Sequence, residues 1–213
     1  MRLTFLILML FVFCTSCRDE DKRISIDLNE FEPITELYPY HQVTTADDVN
    51  YWEPDQYDHD LEPVSVLFSS GTKCSDTFSQ SARIATFDAL TNNQEGFAHS
   101  CLPGYCVKFV RYQDGDNVDV IITKEGMLEF LGDIDTPSDA ILWAMVNGYG
   151  FNTEKKEAGT IKETNDDYQL LVTKLVSVCV PVQVNRFLLR IKKNGEISIL
   201  QEKVYSSMRE ACI

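Results

Sequence analysis

The chain has 213 residues, 44% of them hydrophobic, and a formal net charge of −14; this is the composition of a folded globular protein, not a disordered one. Such acidity excludes nucleic acid as a partner, because phosphate binding needs a basic stripe, and it argues against electrostatic docking to anionic lipid headgroups. The charge is uneven: residues 18–62 hold 14 acidic side chains against Arg18, Lys22 and Arg23, whereas residues 63–213 are close to neutral.

At the start of the chain, Met1-Arg2 supplies a positive charge and Leu3 to Phe13 form an apolar run, followed by Cys14-Thr15-Ser16-Cys17. A basic start, a short apolar run and small residues before a cut describe a secretory signal. The run is too short to span a bilayer, which takes about 20 apolar residues. Thr15-Ser16-Cys17 resembles the lipobox of bacterial lipoproteins, although Cys14 stands where that motif usually has Leu. The resemblance implies that residues 1–16 are removed and that Cys17 carries a diacylglycerol with acyl chains such as palmitate. Arg18 stands where an Asp would favour inner-membrane retention, and Asp19-Glu20-Asp21 resembles the acidic export tag of Bacteroidota-type surface lipoproteins. Together they imply a lipid-anchored protein of the cell outer membrane facing outward, with the periplasmic face as the alternative.

Residues 18–62 show no helical period and contain Pro33, Pro39 and Pro54, with Pro63 just beyond; each proline is hostile to a helix or a central strand. The segment reads as an acidic tether. Its aromatics (Tyr38, Tyr40, Tyr51, Trp52 and Tyr57) are too many for a solvated linker, so residues 34–62 are expected to drape over the domain.

Val64 to Phe68 reads as a strand, and Ser75 or Asp76 as the N-cap of a helix over 77–90. Residues 91–104 read as loop, broken by Asn92-Asn93, Gly96 and Pro103-Gly104. Tyr105 to Tyr112 and Val118 to Thr123 form a strand pair around Asp114-Gly115. Thr136-Pro137-Ser138-Asp139 is a strong helix start, and Ala140 to Val146 is apolar all round, which predicts a buried helix ending near Gly148. Strands follow over Tyr168 to Val180, Arg186 to Ile191 and Glu196 to Tyr205, with Asn194-Gly195 as the last hairpin turn.

Beyond Cys17 five cysteines remain: Cys74, Cys101, Cys106, Cys179 and Cys212. In an exported protein these are disulfide candidates, and their odd number leaves at least one outside an intrachain pair. Cys101 and Cys106 flank a Pro-Gly turn, but either can also reach another cysteine. His99 near Cys101 does not make a catalytic pair, because close neighbours in a loop rarely hold base-to-thiol geometry.

Asp114-Gly-Asp116-Asn117-Val-Asp119 looks like a calcium loop, but Asp119 stands where the EF-hand needs Gly. It reads as a polar turn. The cluster Tyr51, Trp52, Asp55, Tyr57, Asp58 and His59 mixes carboxylates with rings, as a sugar-binding cleft does. It is the candidate ligand site. Phosphate loops, nucleophile elbows and zinc-binding His pairs are absent from the sequence.

The expected organisation is a signal peptide (1–16), a lipid-anchored acidic tether (17–62) and one α+β domain (63–213). That domain has a mostly antiparallel sheet with about three helices packed on one face. The expected function is a non-catalytic surface lipoprotein, a binding or accessory module for a glycan or a protein partner in polysaccharide utilisation. It uses no cofactor or metal and no catalytic residue. A carboxylate-based hydrolase of the cell envelope and an acidic inhibitor or immunity-type protein are the alternatives.

Overall fold

A computed structural model describes residues 26–47, 49–58, 61–73, 80–100 and 105–209. The fold is α+β with mostly antiparallel sheet, as the sequence predicts, and its strands divide into two sheets. The first, five-stranded, runs β1 (Glu32–Pro33), β8 (Thr160–Glu163), β9 (Asp167–Val178), β10 (Val182–Lys192) and β11 (Ile197–Met208). The second has β3 (Leu61–Val66), β2 (Tyr51–Asp58), β6 (Tyr105–Asp114) and β5 (Phe97–Ser100) in order. There β4 (Ser70–Gly71) also pairs with β2, and β7 (Asn117–Ile121) with β6.

The main core lies between the sheets. Tyr168, Leu170 and Val172 of β9 and Phe187, Leu189 and Ile191 of β10 meet Trp52 of β2, Val110 of β6 and two helices, α2 (Lys124–Leu131) and α3 (Pro137–Val146). Helix α3 begins as predicted. Thr136 accepts from the Asp139 N–H, Asp139 returns a bond to the Thr136 N–H, and Pro137 opens the helix. Every residue from Ser138 to Val146 is buried, because α3 has protein on all sides. Gly148 follows the helix at φ +83°, a left-handed conformation glycine adopts without steric cost.

On its other face the first sheet carries a smaller cluster of Phe31, Leu171 and Leu188, with Ile26, Leu28 and Leu200 against it. The second sheet is also covered on both sides. Trp52 packs against Phe130 of α2 on one, and Tyr51 against Phe87 of α1 (Gln80–Asp88) on the other. The layers therefore run, in order, residues 26–31, first sheet, α2 and α3, second sheet, α1. Among the described residues no helix is long and apolar enough to cross a membrane.

The expected boundary at residue 62 needs correction. Ile34 and Tyr40 are core residues, and β2 is an inner strand of the second sheet, so the folded unit already includes Ile26. Pro54 is tolerated inside β2 for a local reason. Its carbonyl accepts from Leu67 N–H at 2.9 Å, so its missing donor faces the gap where β2 changes partner from β4 to β3. The stretch read as loop over 91–104 likewise contains β5, paired with β6. Short strands with charged or small residues carry little alternation to read.

Candidate ligand-binding cleft

Alternation along β2 separates the residues that sequence adjacency groups together. Trp52 points into the core, packed by Phe68 and Phe130. Tyr51, Glu53, Asp55 and Tyr57 share the opposite, α1-side face. There β6 brings Arg111 directly across from Glu53 and two pairs along from Asp55, on the same face. Arg111 Nε donates to Asp55 Oδ2 at 2.7 Å, and a terminal guanidinium nitrogen lies 2.8 Å from Glu53 Oε1. Tyr51 donates its hydroxyl hydrogen to Glu53. Lys73 lies 3.6 Å from Glu53, 3.1 Å from Asp88, and 4.5 Å from the centre of the Phe87 ring, a cation over an aromatic face.

Glu53 and Asp55 are almost wholly inaccessible, at 1% and 0% exposure. Burial pushes the Asp55 carboxyl up to about 6, against the opposing pull of Arg111. The Tyr51 hydroxyl is also pushed up, first by burial and then by Glu53. These carboxylates are thus committed to an internal ion network.

Beside the network opens a cleft of about 640 Å³, a volume in the range of small-ligand sites. Buried Phe109, Arg111 and Asn92 line it together with Tyr57, Val64, Asp88 and Leu90, and exposed Asn93 and Gln94 form its rim. The rim is held by local bonds: the Asn92 side chain donates to Glu95 O, and Gln94 N–H donates to Asn92 Oδ1. Asn93 and Gln94 have φ of +49° and +63°, a left-handed conformation that costs non-glycine residues energy and often marks binding sites.

Of the sequence candidates, Tyr57 lines this cleft. Trp52 belongs to the core, Tyr51 and Asp55 to the network beneath, and Asp58 is half-buried at the end of β2. His59 lies outside the described residues, as do Cys17, Cys74, Cys101 and Cys212. Cys106 is buried on β6 and Cys179 is exposed beyond β9. Sequence reading missed Phe109, Arg111, Asn92 and the Asn93–Gln94 rim. The Asn-Asn-Gln run was a usable signal for the rim, whereas Arg111 needed the β2–β6 register.

The calcium-like segment forms the β6–β7 hairpin, with Gly115 at φ +56°. Asp114 and Asp119 line a second cleft of about 360 Å³ with Asp47, Glu129 and Tyr112. Among the described residues no group of three His, Cys, Asp or Glu side chains is placed to hold a metal ion. Comparison with protein-family models, curated proteins and solved structures found no match.

Proposed function

We propose that this chain is an outward-facing outer-membrane lipoprotein, acylated on Cys17, whose folded unit is a non-catalytic glycan-binding module serving polysaccharide capture. The observation that carries the binding half is the cleft: the half-buried ring of Tyr57 beside the exposed side-chain amides of Asn93 and Gln94. Sugars need this pairing of an aromatic surface for their C–H faces with fixed donors and acceptors for their hydroxyls.

Charge favours a neutral sugar. Arg111 is already matched by Glu53 and Asp55, and Lys73 by Asp88 and Glu53. No uncompensated cation is left among these groups to hold a uronate or a sulfate. Binding is favoured over hydrolysis because glycoside cleavage needs two carboxyl groups facing the bond, whereas Glu53 and Asp55 are sealed beneath the cleft.

The address rests on the Thr15-Ser16-Cys17 lipobox and the acidic run after it. The reading takes Cys106 and Cys179 as disulfide-bonded, as an oxidising compartment favours.

The test combines a glycan array with calorimetry on wild type and Tyr57→Ala. Binding of a neutral polysaccharide, weakened about tenfold or more by Tyr57→Ala, is expected. A blank array, or affinity unchanged by the substitution, overturns the sugar reading. Mass spectrometry of the Cys17 peptide from outer membranes tests the address separately, and an unmodified Cys17 overturns it.

A further inference from the structure

The outer face of the first sheet takes no part in the cleft, and two independent features mark it. One is where the chain enters. Ile26 and Leu28 pack on this face beside Phe31, Leu171 and Leu188, and Ile26 comes only nine residues after Cys17. At full extension nine residues reach about 30 Å. The other feature is charge. On β10 the residues two apart from Leu188 share its face, which places Arg186 there, and Lys203 of β11 stands directly opposite Arg186. Like charges facing each other across a strand pair are unfavourable, yet among the described residues neither makes an ion pair or a side-chain hydrogen bond. Farther along the same face, Val178 and Met208 flank Val182 in register and are both more than half exposed.

We propose that this face is turned toward the lipid surface holding the Cys17 acyl chains, with Arg186 and Lys203 meeting lipid phosphates. It rests on the lipidation of Cys17. The net charge of −14 averages over the whole molecule and hides this local cationic pair. Because the layers run from residues 26–31 through both sheets to α1, the cleft lies on the far side of the second sheet. It opens away from the membrane, where a polysaccharide can reach it.

The experiment places a photocrosslinking side chain at Ser206, on the outer face opposite Val184, or at Asn93 on the cleft rim. Each protein is prepared in two forms on vesicles of phosphatidylethanolamine with 20% (about one lipid in five) phosphatidylglycerol, a composition with a negative surface potential. One form is the acylated chain. In the other a hexahistidine tag replaces the lipid at residue 17 and binds nickel-chelating lipid, so orientation is read whether or not Cys17 is naturally acylated. Lipid adducts at Ser206 and few at Asn93 are expected in both forms. Equal labelling, or labelling at Asn93 alone, overturns the proposal. The double substitution Arg186→Glu with Lys203→Glu should cut Ser206 adducts about tenfold or more. Unchanged adducts in a variant with a native circular-dichroism spectrum overturn the phosphate contact. Mass analysis of the Cys17 peptide reports on the address independently of these outcomes.

Discussion

Arg111 and Asp55 are joined across adjacent strands, Nε to Oδ2 at 2.7 Å, and the same guanidinium reaches Glu53 at 2.8 Å. One planar cation thus serves two buried carboxylates that alternation places on one face of β2. Arginine suits this because its fork holds two directions at once, which the single ammonium of lysine does not. Replacing it with a neutral side chain leaves Asp55 buried without its cation and Glu53 with only the more distant Lys73, at 3.6 Å. Arg111→Met should cost about 3–5 kcal/mol, read by urea denaturation at neutral pH. Arg111→Lys should recover only part of that loss. A loss under about 1 kcal/mol would mean the network behaves as an exposed one.

Asp55 predicts a pH dependence of definite sign. Its carboxyl is raised from 3.8 to about 6, chiefly by burial. A raised carboxyl contributes stability that is fully present below its unfolded value and is lost as pH rises through its folded value. The window is therefore pH 3.8 to 6. Across it, the stability of wild type minus that of Asp55→Asn should fall by roughly 3 kcal/mol. Denaturation series at several pH values measure this difference, in which the contributions of other carboxylates cancel. A flat or rising difference would show that Arg111 outweighs burial.

Asp139 joins helix α3 to the N-terminal segment. Its carboxylate accepts from the N–H and hydroxyl of Thr44 and from the N–H groups of Asp135 and Thr136. It is fully buried, so truncation leaves several donors unmet. Asp139→Ala should cost about 3 kcal/mol and expose residues 42–46 to proteolysis before the rest unfolds. Asn should restore part of both, because it keeps one acceptor oxygen. Limited proteolysis followed by mass spectrometry distinguishes loss of this latch from general destabilisation.

Gly195 tests the last hairpin. It sits at φ +80°, and a Cβ there would lie 2.5 Å from Leu128 Cδ1. Its carbonyl accepts the indole hydrogen of Trp143 at 2.8 Å. Gly195→Ala should cost about 1–2 kcal/mol from the backbone conformation alone, plus whatever the displacement of Leu128 adds. Pairing it with Leu128→Ala should remove the steric part and leave the backbone part, which a double-mutant cycle separates. The Trp143 environment, followed by near-ultraviolet circular dichroism, should change with Gly195→Ala.

Much of the candidate site was hidden from sequence for one geometric reason. Tyr51, Trp52, Asp55 and Tyr57 are close in sequence and look like one cluster. A strand sends alternate residues to opposite faces, so Trp52 enters the core while Tyr57 lines the cleft. The Tyr51-x-Glu53-x-Asp55-x-Tyr57 pattern was legible, but Pro54 and three acidic residues within β2 argued against a strand at all. Only the gap between β3 and β4 makes that proline harmless, and only the pairing of β2 with β6 brings Arg111 to Glu53 and Asp55.

What the sequence determined by itself was local. The capping box of α3 from Thr136 to Asp139, the apolar run that buries it, the Asn194-Gly195 turn and the strand pair around Asp114-Gly115 are all fixed by neighbours within a few residues. Backbone donors, glycine conformations and short-range caps act at that range, so reading the chain in order recovers them. Tertiary structure alone decided that residues 26–58 belong to the folded unit, that the strands form two sheets, and that Arg111 stands across from Glu53. Those facts depend on pairing between segments tens of residues apart, where register and burial, not local preference, set the outcome.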